Sequence, residues 1–390
     1  MIYVGIDVAK DKHDCCILSA EGGKLTQFTF ANDRAGFERL LSAIAAHGEL
    51  ENAKIGLEST GHYSTNIQNY LLQKRLCVKV FNPLQVNLAR KAETLRKTKT
   101  DRSDSAFLAQ LLLSDGKLKS YSQPVLAVSE LRMLTRSRFR LVGMRSKYKQ
   151  SISRLITVLF PELPQAVWSV NQKSTYALLL EFPTAQDIAN AHLTRLANLL
   201  SANSHGKYGR EKATQIRELA RNSIGLNSRA AGFELQQTIR LVQNLQEEID
   251  LLDKEIRSIM REIKSPVLSV PGIGFVLGAM ILSEIGDVEN FESPAKLLAF
   301  AGLEPSTYQS GNYSANKTSM VKRGSKYLRW ALLQAARLVA YRDETFGAYN
   351  AKKKAEGKHH FVALNHTAKK LVRVLFHLLK TGQNFQPQLG

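Results

Sequence analysis

Four acidic residues stand in this chain where acids are costly or paired. Asp7 interrupts the apolar run from Ile2 to Ala9, and Glu58 closes the apolar run from Ala53 to Leu57. Asp101 and Asp104 are three apart, so on a helix they share one face. Carboxylates brought together repel and resist ionising unless a cation neutralises them. Hard divalent ions with oxygen ligands do this, Mg²⁺ being the usual one beside phosphates and Mn²⁺ an alternative. Two such ions about 4 Å apart can stabilise both the attacking and the leaving oxygen of a phosphodiester displacement. Asp11, Asp14 and Asp33 sit in turns or polar flanks and are left out of the set.

The elements around these acids order themselves as a mixed sheet. Residues 2–9 read as a strand, 13–20 as a second and 24–31 as a third, with turns at Lys10-Asp11-Lys12 and Gly22-Gly23. Asn32 or Asp33 can cap a helix to about His47. A strand over 53–57, an amphipathic helix over 65–74, a short strand over 77–81 stopped by Pro83, and a helix over 101–113 follow. Three meandering strands, then helix, strand, helix, strand, helix is the RNase H-like α/β arrangement. In it, the first strand's carboxyl end, Glu58 and the helix bearing Asp101 and Asp104 meet.

Beyond this unit, 1–122, the chain turns helical. Pro124 and Pro161 bracket a heptad seam running from Leu131 to Leu159, with Arg138 and Arg145 inside it. A second seam runs from Leu235 to Ile263 and carries Glu247, Glu248, Asp250, Asp253 and Glu255. Helices of about 33 residues are roughly 50 Å long and bury such stripes against a partner. The basic first rod and the acidic second suit each other. Residues 123–265 therefore read as a coiled-coil region, with a helical insert over 162–230. Residues 266–390 read as a mainly α third unit. It opens on Val270-Pro271-Gly272-Ile273-Gly274, a helix-hairpin-helix form in which Gly272 and Gly274 let backbone approach a phosphate. A polar loop spans 305–320, and a basic helix over 325–342 carries Lys326 and Arg329 beside Lys322 and Arg323.

The charge says what kind of partner to expect. Of 390 residues, 54 are Lys or Arg and 34 Asp or Glu, a net charge of +20. The excess is concentrated: 16 basic against 5 acidic residues over 85–159, and 15 against 3 over 317–380. Two basic stretches far apart in sequence point to a large polyanion gripped at several places, nucleic acid being the common one. The three cysteines, Cys15, Cys16 and Cys77, lack metal-ligand or disulfide-scaffold spacing. No apolar run is long enough to span a bilayer, and the first residues lack the basic region of a signal peptide. A cytoplasmic, nucleoid-associated protein without a membrane partner is expected.

Several blocks resemble the DEDD transposases of bacterial insertion sequences, relatives of the Piv-type DNA invertases. They are Tyr3-Val4-Gly5-Ile6-Asp7-Val8-Ala9-Lys10, Glu58-Ser59-Thr60-Gly61-His62-Tyr63, Asn82-Pro83 and Lys99-Thr100-Asp101-Arg102-Ser103-Asp104. Pro271-Gly272-Ile273-Gly274, Ala301-Gly302-Leu303-Glu304-Pro305 and Lys322-Arg323-Gly324 with Leu328-Arg329 continue the series. The resemblance covers nearly the whole chain, in order. It implies a RuvC-like domain whose four acids match Asp7, Glu58, Asp101 and Asp104. It implies a C-terminal transposase domain whose nucleophilic serine matches Ser310, in Tyr308-Gln309-Ser310-Gly311. The serine would attack a DNA phosphate and form a 5′-phosphoserine, leaving a free 3′-hydroxyl. The resemblance further implies a homo-oligomer, dimer to tetramer, in which the acids of one subunit serve the serine of another. A structured bridge RNA would pair with target and donor DNA. Lys97, Lys99 and Arg102 flank the acids and would face phosphate, while Arg138 and Arg145 would meet RNA or a carboxylate. His62 beside Glu58 reads as an ordinary strand-end histidine.

Two other readings compete. A hydrolytic RuvC-like nuclease or junction resolvase would use the acids and water. A noncatalytic nucleic-acid scaffold would need the acids only for structure. A sugar-kinase-type ATPase is excluded by the lack of a second glycine-rich phosphate loop.

Overall fold

The structure is a computed structural model describing residues 1–58, 63–81, 83–93, 101–114, 126–305, 309–310, 313–314 and 320–387, with the side chains of 83–85, 88, 93, 101, 102, 126, 309, 310, 313 and 314 outside that description. The chain divides into two compact units, Met1–Pro124 and Val125–Gly390.

In the first unit, β1 (Ile2–Val8), β2 (Lys12–Leu18) and β3 (Lys24–Ala31) form an antiparallel meander. Asp33 caps α1 (Arg34–Ala45), its carboxylate accepting from the Gly36 amide at 2.7 Å. Then come β4 (Ala53–Glu58), α2 (Ser64–Gln73) and β5 (Cys77–Phe81), with β4 parallel to both β1 and β5. The sheet order is β3-β2-β1-β4-β5, a mixed sheet compatible with the RNase H-like expectation.

Strand alternation sorts the two faces. Val4, Ile6, Val8, Ile55 and Leu57 pack with Phe37, Leu40 and Ile44 of α1 and Ile67 and Leu71 of α2. The other face carries Tyr3, Gly5 and Asp7. It receives α4 (Asp101–Ser114), which follows α3 (Pro83–Glu93). The helix α3 is absent from the sequence reading, where Pro83 only ends a strand. A proline at the first helical position loses no hydrogen bond and presets the backbone, so the residue that stops β5 also starts α3.

The second unit is helical. α5 (Leu126–Leu159) leads into five short helices, α6 (Leu163–Ala166), α7 (Lys173–Glu181), α8 (Ala185–Asn190), α9 (Leu193–Asn203) and α10 (Arg210–Arg221). α11 (Arg229–Ile263) returns along α5. Arg138 pairs with Asp253 and Arg154 with Glu234, so the partners run in opposite order and the rods are antiparallel. The short helices form their own core with both rods, including Phe160, Leu163, Ile216 and Leu235.

α12 (Phe275–Ile285), α13 (Pro294–Phe300), the two-residue strands β6 (Gln309–Ser310) and β7 (Tyr313–Ser314), α14 (Lys326–Arg342), α15 (Glu344–Ala355) and α16 (His360–Thr381) complete the chain. Their apolar faces share a core from Val267 to Leu378. Among the described residues, no helix is long and apolar enough to cross a membrane.

Candidate active site and nucleic-acid interface

Register sets three acids at neighbouring positions on adjacent strands. Ile6 pairs with Leu57 in the parallel ladder, so Asp7 and Glu58, one step further, stand on neighbouring strands and the same face. Asp14 of β2 is the direct antiparallel partner of Asp7. It is buried, and its carboxylate accepts from the Thr29 hydroxyl at 2.7 Å. By sequence Asp14 is a flank residue, and its register opposite Asp7 is the signal that sets it beside the other acids.

Gly5 lets α4 lie against this face. A Cβ built there would stand 2.1 Å from the Ser105 carbonyl oxygen and 2.4 Å from the Ala109 nitrogen. The helix therefore settles on bare backbone two residues from Asp7. Asp104, 5 % exposed, is held on α4 by Arg90 of α3, Nη1 to Oδ1 at 2.9 Å. The Arg90 guanidinium also lies over the Phe107 ring, 5.2 Å from its centroid. Asp101 opens α4, one turn before Ser105. Its side chain and that of Arg102 lie outside the described residues, as do Lys97, Lys99 and His62.

The donors Asp7, Glu58 and Asp104 are all oxygen, the chemistry that suits a hard divalent cation. Among the described residues, no three His, Cys, Asp or Glu side chains stand close enough to form a complete metal-binding group.

In the second unit, the described residues of the polar loop pair with one another. Pro305 bridges Met320, and Ser310 pairs with Tyr313 across a two-strand hairpin. The Ser310 side chain lies outside the described residues. Gly272 has φ +93 and would press a Cβ to 2.9 Å from the Leu338 carbonyl carbon, which a side chain cannot satisfy. Gly274 caps the start of α12 with open space where a Cβ would be. The element before this turn is a 3₁₀ turn, Pro266–Ser269, instead of a full helix.

Lys322 and Arg323 are exposed, and Lys326 lies over the Tyr327 ring at 5.1 Å. Arg329 turns inward and donates to the Lys322 carbonyl at 3.0 Å and the Ala301 carbonyl at 3.4 Å, bracing the basic turn. Arg138 meets a carboxylate, Asp253, through two nitrogens. Arg145 donates to the Gln246 amide oxygen.

One node escaped the sequence reading. Glu284 of α12 is 3 % exposed and takes both Nε and Nη2 of Arg136, at 2.6 and 2.9 Å. The Ser325 hydroxyl donates to it at 2.7 Å while accepting the Leu328 amide as the N-cap of α14. The carboxylate pushes the Arg136 guanidinium pKa up from its ordinary value, burial partly opposing it. Arg136 sits over the Tyr327 ring at 4.8 Å, and Phe139 packs edge-on against Tyr327 and Trp330. The node ties α5 to the start of the basic helix.

Comparison with known proteins bears on both units. A DEDD-type transposase family model named for IS110 matches residues 4–161. A second, described as "Transposase IS116/IS110/IS902 family", matches residues 264–351. An insertion element IS116 uncharacterized 44.8 kDa protein of Streptomyces clavuligerus is 26 % identical over 99 % of this chain and 96 % of its own length. A pilin gene-inverting protein of Moraxella bovis is 23 % identical over 99 % and 98 %. A transposase for insertion sequence element IS1328 of Yersinia enterocolitica is 32 % identical over 27 % of this chain and 34 % of its own.

Proposed function

Because the chain belongs to the IS110 family of transposases, we propose that it is a site-specific DNA recombinase of an insertion sequence, working through a serine and a divalent metal under RNA guidance. The observation that supports this is the packing of α4, the helix bearing Asp101 and Asp104, on Gly5 of the sheet face where Asp7 and Glu58 are register neighbours. The strand order supports a RuvC-like reading of the first unit. The roles then divide into a catalytic part, 1–122, a helical rod region, 123–265, and a transposase part, 266–390.

Asp7, Glu58, Asp101 and Asp104 would hold the metal, Mg²⁺ or Mn²⁺. When bound, such an ion supplies positive charge to the phosphate under attack and favours an ionised hydroxyl. The chain's own part is a displacement. The Ser310 oxygen forms a bond to phosphorus, the bond from phosphorus to the 3′ oxygen breaks, and that oxygen takes up the proton the serine loses. The phosphoserine ester keeps the bond energy, so a different 3′-hydroxyl can reverse the step and join new strands. Hydrolysis would discard that energy. Gly272, Gly274, Lys322, Arg323 and Lys326 would lie along DNA or RNA backbone, with Arg329 supporting the turn. A homo-oligomer, dimer to tetramer, would supply the several strands an exchange needs.

The test is strand cleavage of 3′-labelled DNA carrying an element end, with Mg²⁺ and the copurifying RNA. Wild type should yield a DNA-linked protein band on a denaturing gel, and Ser310→Ala should yield neither the band nor the cut. Undiminished cleavage by Ser310→Ala would favour the hydrolytic nuclease. Sequencing the copurifying nucleic acid tests guidance: one discrete structured RNA supports it, and random fragments count against it.

A further inference from the structure

A cavity of about 580 Å³ lies between α15, α16 and the arm that follows α16. We propose that it binds one unpaired nucleotide of a single-stranded nucleic acid, apart from the acids, Ser310 and the basic turn. It shares with the proposed function only the class of polymer.

Three features of the wall argue for that occupant. Lys370, Arg373 and His377 line it from α16 at a three-four spacing, which puts them on one helix face. Among the described residues no acid lines the cavity, and the stretch 317–380, which supplies its α15 and α16 walls, holds 15 basic residues against 3 acidic, so the wall suits an anion. Phe385 gives an aromatic surface beside buried Phe346, the ring centroids 6.4 Å apart. An inorganic anion would gain nothing from such a ring, whereas a nucleobase stacks on it. Gln383 and Gln386, exposed on the arm, present amides that can both donate and accept at a base edge.

The arm is fixed. The Phe385 amide donates to the Ser269 hydroxyl at 2.7 Å, and the Lys370 ammonium sits over the Phe346 and Tyr349 rings at 5.4 and 5.1 Å. The volume falls in the range that takes a small organic group, so a single base can enter and a stacked duplex cannot. The phosphate then meets Arg373 and His377, while the base lies on Phe385.

The experiment uses the full chain and fluorescent RNA and DNA strands of about ten nucleotides carrying one 2-aminopurine, beside a duplex of the same sequence. Phe385→Ala and Arg373→Gln should each weaken single-strand binding roughly tenfold and abolish 2-aminopurine quenching, with duplex binding held within about twofold. Arg373 is exposed, so its variant carries the test even if Phe385→Ala unfolds. Single-strand binding within twofold of wild type in Arg373→Gln overturns the proposal, as does equal loss of duplex and single strand. Wild type that binds duplex DNA without quenching sinks the cavity alone and leaves the recombinase reading intact.

Discussion

Substituting Gly5 by alanine separates the work of α4 from the stability of the fold. The new methyl carbon would stand 2.1 Å from the Ser105 carbonyl oxygen, and 3.4 Å is ordinary contact, so the helix must lift by about 1.3 Å. The opposing atoms are backbone of a helix and cannot rotate away. Overpacking of this kind costs about 1–3 kcal/mol, and the rigid neighbours put Gly5→Ala near the upper end. The lift falls on the element carrying Asp101 and Asp104, while Asp7 and Glu58 stay on the sheet. A displacement of about 1 Å in a reacting constellation costs on the order of 10²-fold in rate. The assay pairs urea unfolding with Mg²⁺-dependent strand cleavage, both for Gly5→Ala and for Gly48→Ala. At Gly48 the nearest atoms to an added Cβ are Ile2 side-chain carbons at 3.7 Å, so that variant should stay within about 0.5 kcal/mol of wild type. A folded Gly5→Ala protein that cleaves at the wild-type rate would refute the reasoning.

Three further outcomes follow from named contacts. Glu284→Ala should cost about 2–3 kcal/mol by urea unfolding, below the fully buried range because the Arg136 side chain keeps 39 % exposure; a loss under about 0.5 kcal/mol would show that the node holds nothing. Arg138→Met alone should destabilise the rods, while Arg138→Met with Asp253→Leu should recover most of the loss, since an apolar pair can replace an ion pair. No recovery in the double variant would argue that Arg138 serves something other than Asp253. Burial holds the His13 pKa below its ordinary value, and its Nδ1 accepts the Ala9 amide at 3.3 Å, which only the unprotonated ring nitrogen can do. The unfolded chain then binds the extra proton first, so the contribution of His13 is fully present above about pH 6.5 and is lost as pH falls below it. Guanidinium unfolding at pH 7.5 and 5.5 should show this fall, and His13→Leu should shrink it; an unchanged slope would reject the assignment.

The sheet was legible because its signals are local. The apolar run that begins at Ile2, the turn at Gly22-Gly23 and the cap at Asp33 each act within a few residues, and the observed strands lie within two residues of the expected bounds. The two rods were legible for the same reason, their seams needing only a repeat of seven. What escaped depends on pairing across long separations. Arg136 and Glu284 lie 148 residues apart, and Glu284 reads in sequence as a stray acid in an apolar helix. Asp14 gains its place only from the register that sets it against Asp7. Arg90 was hidden because Pro83 was read for what it ends and not for what it begins. Glycine 5 was visible as a strand glycine, but its use as a seat for α4 depends on a helix a hundred residues on.

We propose that the acids of β1, β4 and α4 hold a divalent cation needed for strand cleavage. The most direct measurement is cleavage by wild type, Asp7→Asn and Asp104→Asn across a Mg²⁺ titration, with metal binding followed calorimetrically on the same proteins. The account predicts no cleavage without metal, and in each variant weakened metal binding with at least about a hundredfold slower cleavage that excess Mg²⁺ does not restore. Wild-type metal affinity and cleavage rate in Asp104→Asn would contradict it.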